Sequence, residues 1–229
     1  MLSFSPCAQI SQVSDALAIQ CALYVMYRWG FIKCFRFDNG IPFGDPKRER
    51  LTSCALHLIA RGCQVKFNPP RTPTKNAKVE RCQGTTGRWA DAKQSKNFQE
   101  YYKNLDYAII AQRERLPSRV CDHSTRVEFY PQLLSNPRKY NSNDFDKKRV
   151  FKVLTEIKFY RKVSKSGQIN IYGKKYTLSG KENSGKKLTI TLIIKNNQPF
   201  WHCEDKNKVL IKLILAQNMD DETYFKLNI

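Results

Sequence analysis

Two acidic side chains occupy positions from which a folded chain could do chemistry. Asp38 ends an apolar, aromatic run that starts at Phe31, and Asn39-Gly40 then permits a sharp turn. An α/β sheet exposes side chains to its functional crevice at such strand ends. Glu80 falls in the first turn of a helix predicted to begin near Asn76, where a negative charge also stabilises the helix. Taken singly, each residue has an ordinary explanation, as a turn aspartate or a helix-start glutamate.

Taken together, the surroundings of these two residues resemble the DDE transposases and integrases, which have a ribonuclease-H-like core. In insertion-sequence transposases of that kind a strand ends in Asp-Asn-Gly-x-x-Phe, as residues 38–43 do here. In that family a helix and a strand follow, and then a Pro-x-x-Pro loop and a helix that opens with Asn-x-x-Val-Glu-Arg. Residues 70–81 match the loop and the start of that helix. The acidic positions are 80 − 38 = 42 residues apart, slightly long for the family, and the resemblance covers roughly residues 10–215.

The resemblance implies that Asp38 and Glu80 are catalytic carboxylates and ligands of Mg²⁺ or Mn²⁺. In strand transfer two such ions, about 3.5–4 Å apart, activate the attacking oxygen and stabilise the leaving one. Mg²⁺ prefers carboxylate oxygens and water. In the family, the third carboxylate lies at the end of the first core strand, far ahead of the position that Asp38 matches. The only acidic residue before Asp38 in this sequence is Asp15, which falls at the start of a predicted helix instead of the end of a strand. We therefore expect the chain to begin inside the catalytic domain, without its first strand.

Two readings of function follow from that expectation, and a third comes from another class. The first is a DNA transposase or integrase fragment, of a family that catalyses metal-dependent DNA strand transfer. The second is a catalytically silent DNA-binding remnant of a mobile element, in which metal binding is weak or absent. The third is a basic RNA- or ribosome-associated structural module, which the two ordered motifs argue against.

The composition favours a polyanionic partner. Forty Lys and Arg against 20 Asp and Glu give a net charge of +20, spread along the whole chain. Such a field attracts nucleic acid and opposes self-association, although the resembling transposases act as multimers. We expect DNA as the partner, and no membrane. The cations predicted to contact DNA are Arg71, Lys75, Lys78, Arg81, Lys174 and Lys175.

Periodicity predicts alternating helices and strands up to residue 115, an α/β layer with partly parallel strands. The resemblance implies that this layer is an incomplete ribonuclease-H-like core. The predicted elements are helix 11–29, strand 31–37, helix 51–59, strand 63–67, a helix from 76 and a helix at 97–115. Gly84 and Gly87 each weaken the fifth element by about 1 kcal/mol relative to Ala.

Beyond residue 115 the pattern changes. Residues 116–150 predict an extended connector, and residues 151–216 hold short β-like runs between Gly and Asn turns, starting with Phe151–Phe159. Five or six such strands predict a small all-β barrel with Trp201 and Tyr176 in its core. Its interleaved basic and aromatic side chains, among them Lys158, Tyr160, Lys162 and Lys187, suit DNA binding, which the resemblance also implies. Residues 217–229 have no assigned role.

The eight cysteines show no C-x-x-C spacing, so a zinc knuckle is not supported. Several lie in apolar runs, such as Cys34 between Phe31 and Phe37, and are predicted to be small buried hydrophobes. The sequence has no run of about 18 apolar residues and no signal-peptide pattern. We expect a cytoplasmic protein with reduced thiols.

Overall fold

A computed structural model describes residues 14–38, 40–45, 50–69, 77–135, 138–178 and 181–217. Within these residues the chain divides into two compact units. The first unit combines 14–25, 32–67 and 141–217, and the second combines 26–31 and 68–140. This division cuts across the predicted segments 1–115, 116–150 and 151–216, because residues close together in the fold are distant in the sequence.

In the described residues, helices and strands are interspersed in the first part of the chain, helices predominate in the middle, and strands predominate at the end. The helices are α1 (Asp15–Trp29), α2 (Ser53–Ala60), α3 (Ala77–Trp89), α4 (Phe98–Glu114), α5 (Arg126–Phe129), α6 (Gln132–Ser135) and α7 (Lys147–Thr155). The strands are β1 (Cys34–Phe37), β2 (Gly44–Asp45), β3 (Arg50–Leu51), β4 (Gln64–Phe67), β5 (Lys158–Lys162), β6 (Gln168–Ile171), β7 (Lys174–Thr177), β8 (Lys187–Lys195), β9 (Gln198–Glu204) and β10 (Leu210–Leu215). Short 3-10 turns cover Arg119–Cys121 and Lys181–Asn183.

Strands β1 and β4 pair in parallel, from Cys34 beside Gln64 to Phe37 beside Phe67. Helix α2 connects them, as the predicted alternation requires. Its first turn is capped by Thr52, whose hydroxyl oxygen accepts a bond from the Ala55 amide at 3.3 Å. Every residue of α2 after Ser53 is buried. The predicted strand–helix–strand order and the parallel pairing are confirmed.

The second part of the first unit is an antiparallel sheet of order β10-β9-β8-β5, with a separate hairpin of β6 and β7. Trp201, Phe159 and the inward residues of β8 form its core, and Leu56 of α2 belongs to the same cluster. The prediction that Trp201 and Tyr176 are core residues is confirmed. Helix α2 and the C-terminal strands therefore share one hydrophobic core.

Two side chains link the hairpin to opposite edges of this sheet. Arg161 on β5 donates from Nε to the Asn170 carbonyl at 3.1 Å, and Lys212 on β10 donates to the Thr177 carbonyl at 3.0 Å. Among the described strands no backbone ladder joins the hairpin to the sheet. Barrel closure stays a prediction.

The prediction of a strand over Phe151–Phe159 is wrong for its first half, because α7 covers Lys147–Thr155. Asp146 caps this helix, its carboxylate accepting from the Lys148 amide at 2.9 Å. Val150 and Leu154, one helical turn apart, are buried in the core. The apolar run is β-like in residue type, but its burial period is that of a helix.

The predicted extended connector over residues 116–150 is also wrong, because it contains α5, α6 and the start of α7. Thr125 and Glu128 form a reciprocal capping box at the start of α5. The Thr-x-x-Glu signature was present in the sequence, but it precedes only four helical residues. A helix this short has no apolar period to support the cap.

The second unit consists of helices that bury small side chains. Ala108, Ala111 and Gln112 are the buried residues of α4, and the Gln112 side chain donates to the Thr86 hydroxyl of α3 at 2.7 Å. Helix α3 continues through Gly84 and Gly87. The packing of α3 against α4 therefore offsets the loss of helix stability that these two glycines cause.

The prediction that Cys34 is buried is wrong, because it lies on the exposed face of β1. Strand alternation places it on the side opposite Phe35. Cys54, Cys63 and Cys203 are buried, and burial raises the pKa of these thiols to about 12, about 11 and about 12. None of the seven cysteines in the described part of the chain belongs to a disulfide.

Candidate nucleic-acid interface and carboxylate positions

Asp38 directly follows β1, at the carboxyl end of the parallel pair, and its side chain is exposed. The turn behind it is tightly built, since the Gly40 carbonyl accepts from the amides of Phe43 at 3.0 Å and Gly44 at 2.9 Å. The rings of Phe37 and Phe43 stack with centroids 4.3 Å apart. This packing holds Phe37, the residue just before Asp38, against Phe43.

Glu80 lies in the first turn of α3 and is exposed, as is the neighbouring Arg81. Asp38 belongs to the first unit and Glu80 to the second. Within the described ranges, no three His, Cys, Asp or Glu side chains are grouped so that they could hold a metal ion. The shared metal site of Asp38 and Glu80 stays a prediction.

Some of the remaining predicted DNA contacts lie within the described residues and others lie outside them. Arg71, Lys75 and the side chain of Lys78 lie outside the described residues. On the hairpin, Lys175 is exposed opposite Asn170, whereas Lys174 is half-buried. Lys175 is thus the better placed of the two hairpin lysines to contact a ligand.

A strip of basic side chains runs along the outer face of the C-terminal sheet. Phe159 of β5 points into the core, so Lys158, Tyr160 and Lys162 point outward, and all three are exposed. On β8, Lys187 lies directly opposite Lys162. We call Lys158, Tyr160, Lys162 and Lys187 the basic strip.

The lysines of the basic strip have no acidic partner within the described residues. Lys162 and Lys187 are direct cross-strand partners, and like charges in such pairs destabilise a sheet. No carboxylate in the described ranges forms an ion pair with Lys158, Lys162 or Lys187. An anion bound here would relieve the repulsion between the two paired lysines.

The charge of the C-terminal strands is strongly one-sided. Residues 157–217 contain 13 Lys and Arg and 3 Asp and Glu, a net charge of 13 − 3 = +10. Glu204 and Asp205 are at the end of β9, and Glu204 contacts His202 at 3.3 Å. In the pairing register Glu204 lies beside Thr189 of β8, which in turn lies beside Tyr160 of β5, so this carboxylate borders the basic strip. The net positive charge of these strands as a whole attracts a polyanion.

The sequence predicts DNA binding by the basic and aromatic groups of this region, which include the four residues of the strip, but it does not group those four on one face. The signal was the alternation in Lys158-Phe159-Tyr160-Arg161-Lys162, with one aromatic inward and one outward. Arg161, on the inward side, is engaged by the carbonyls of Asn170 and Tyr160. That the strip includes Lys187 depends on the pairing register, which the sequence does not state.

Comparisons with known proteins leave the family open. No protein-family model matches the chain, and no curated protein sequence matches it. A solved structure with some likeness is a cryo-EM structure of the simian T-cell lymphotropic virus intasome in complex with the PP2A regulatory subunit B56 gamma. It is 14% identical with a TM-score of 0.43, over 90% of this chain and 67% of that chain. A likeness at this level does not identify a fold.

A helix that crosses a bilayer needs about 20 mostly apolar residues. In the described part of the chain, none of the helices has both this length and this apolarity.

Proposed function

We propose that this chain binds DNA through its C-terminal strands and derives from a recombinase of the DDE type. The observation that carries DNA binding is the basic strip, three exposed lysines without ion-pair partners in the described ranges around an exposed tyrosine. Phosphate contacts made by such lysines supply affinity with little sequence preference.

The recombinase origin is supported by where the two motifs fall. Asp38 follows a strand that pairs in parallel with the next one, and Glu80 opens the helix after that second strand. Two acidic residues on these elements, in this order, match the resemblance. A ribonuclease-H-like core followed by a small β-barrel remains the proposed architecture.

Asp38 and Glu80 have the donor chemistry for Mg²⁺ or Mn²⁺, since both are exposed carboxylates. When bound, such ions would supply Lewis-acid stabilisation of a phosphate under attack. A third acidic ligand is not grouped with either residue in the described ranges. We therefore propose DNA binding as the activity of this chain, and we propose strand transfer only for the family that it resembles.

We expect the 229-residue chain to show no strand transfer or nicking with Mg²⁺ or Mn²⁺, because two of the family's three carboxylates match. The assay uses supercoiled plasmid and a labelled duplex end, with Asp38→Ala as the paired variant. If the chain nicks DNA in a metal-dependent reaction that Asp38→Ala abolishes, the proposal that it is catalytically silent is refuted and the chain is an enzyme.

DNA affinity should fall steeply with salt and depend on the basic strip. Each lysine that meets a phosphate contributes about 0.9 to the slope of log Kobs against log salt concentration. Replacing Lys158, Lys162 and Lys187 by Gln should therefore reduce that slope by about 2.7 on duplex DNA. Fluorescence anisotropy across a salt series measures it.

The control for this experiment removes the same charge at the end of β8 and in the turn between β9 and β10. Lys195, Lys206 and Lys208 are exposed, and their triple Gln variant has the same net charge as the strip variant. We expect the control to change the slope by less than half as much as the strip variant does. Equal slopes for the two variants would mean that only total charge matters, and a salt-independent affinity would refute DNA binding by this surface.

A further inference from the structure

Tyr160 is an exposed aromatic ring in the middle of the basic strip. Its side chain is 59% exposed, while Phe159, the next residue, is fully buried against Trp201. Within the described residues, no side chain is hydrogen-bonded to the Tyr160 hydroxyl. The ring is thus neither part of the core nor fixed by a polar contact of its own.

The neighbours of Tyr160 leave its face accessible and place cations on either side. Lys158 and Lys162 are two residues away along β5, about 6.6 Å in each direction on the same face. Across the sheet the direct partner is Thr189, a small side chain. A flat ligand can therefore lie on the ring while an attached anionic backbone runs past the lysines.

We infer that the basic strip is a stacking site for an unpaired base of single-stranded DNA, an inference that rests on the proposed DNA binding. An aromatic face binds any base by stacking, and flanking cations contact the phosphates. In a duplex the faces of the bases are already covered by their neighbours. The strip is therefore expected to bind single strands more tightly than duplex. Stacking on Tyr160 adds affinity for single strands alone, while the lysines contact the phosphates of both.

The expected effect separates the ring from the charges. Removing the ring should weaken single-strand binding roughly tenfold, about 1.4 kcal/mol, within the range for one stacked base. Duplex affinity should change less than twofold, since the phosphate contacts remain. Removing the three lysines should weaken both.

The test uses the full chain and labelled oligothymidine of about 12 nucleotides, against a duplex of the same length. Tyr160→Val keeps a strand-forming residue without a ring, and Tyr160→Phe keeps the ring without the hydroxyl. We expect Tyr160→Val to lose the single-strand preference and Tyr160→Phe to retain it. A single 2-aminopurine in the oligonucleotide, quenched on binding to the unmodified protein, reports stacking without any variant.

The outcomes are distinguishable. If Tyr160→Val binds single strands as tightly as the unmodified protein, or 2-aminopurine is not quenched, the stacking site is refuted while salt-dependent duplex binding still supports the proposed function. If the protein binds neither oligonucleotide, both proposals fail. Tighter binding to oligouridine than to oligothymidine would overturn DNA as the ligand.

Discussion

Replacing Trp201 by alanine is expected to destabilise the first unit by about 3–5 kcal/mol, the usual cost of deleting a large aromatic from a core. Trp201 has 0% exposure. Its ring meets Phe159 edge-on with centroids 5.8 Å apart and stacks near Tyr172 at 6.3 Å. Its indole N–H donates to the Tyr176 hydroxyl at 3.4 Å. Urea unfolding followed by far-ultraviolet circular dichroism measures the loss.

The matched control deletes an exposed tryptophan. Trp89 ends α3 with 43% exposure, so Trp89→Ala removes the same side chain without opening a buried cavity. We expect it to cost less than about 1 kcal/mol. A loss of less than about 1 kcal/mol on Trp201→Ala would mean that the core of the first unit is not centred on Trp201.

The consequence reaches the proposed binding surface. Phe159 packs on Trp201 from the inner side of β5, and the outward Tyr160 depends on that strand holding its register with β8. A domain is typically stable by about 5–15 kcal/mol, so losing about 4 leaves little in reserve. Trp201→Ala should therefore weaken DNA binding at 37 °C while leaving it closer to normal in the cold, unlike any variant of the strip itself.

Local signals predicted the parts of the fold that depend on local chemistry. Asn196 and Asn197 both have positive φ, 51° and 59°, and join β8 to β9 as the turn residues indicated. Alternation along β9 placed Trp201 inward. The apolar helix pattern between two strand patterns predicted that β1 and β4 are parallel, because parallel strands need a crossover of this kind.

Features set by tertiary contacts were not readable in the same way. Residues 151–155 are β-like in type, yet burial against α2 and β8 makes them helical. Tyr172 and Tyr160 have equal propensities, but only Tyr160 faces outward. Pairing register decides which lysines become neighbours, so Lys187 could not be assigned to the strip from its sequence position. The motifs likewise predict that Asp38 follows a strand and that Glu80 lies at the start of a helix. Whether the two side chains share a cleft depends on tertiary packing, which the motifs do not determine.

Stability of the first unit should fall by about 3 kcal/mol between pH 7 and pH 4 through His57 alone. His57 is buried in α2 with 3% exposure, and its Nε2 accepts from Arg61 Nε at 3.0 Å. The opposite nitrogen, Nδ1, has no hydrogen-bond acceptor among the described groups. Burial first, and then the positive Arg61, lower the pKa of His57 from 6.5 to about 4.

The direction follows from where the proton binds. Below pH 6.5 the unfolded chain takes up a proton at this histidine, while the folded chain refuses it until about pH 4. The contribution is therefore complete above pH 6.5 and is lost as the pH falls toward 4. The 2.5-unit difference, 6.5 − 4, corresponds to about 3 kcal/mol at 1.36 kcal/mol per unit.

This loss would act on the contact that joins α2 to the C-terminal strands. Beside His57, the ring of Phe145 is 5.2 Å away, and Arg61 donates to the Ser142 carbonyl at 2.7 Å. The Ala60 carbonyl accepts from the Asp146 amide at 2.9 Å. A charged imidazole there would repel Arg61 and lack water, so α2 would separate from the segment that leads into α7.

The comparison that isolates His57 is His57→Gln, which keeps an acceptor for Arg61 and does not titrate. Urea unfolding at pH 7.5, 6, 5 and 4.5 should give a steeper decline for the unmodified protein than for the variant, with the curves converging as the pH falls. Glu128, whose pKa is lowered by its bonds to Thr125, loses its contribution only below its usual range near 4.5, and does so equally in both proteins. Parallel curves from pH 7.5 to 4.5 would show that the buried imidazole is not held neutral, and that α2 is less tightly packed on the C-terminal strands than its burial indicates.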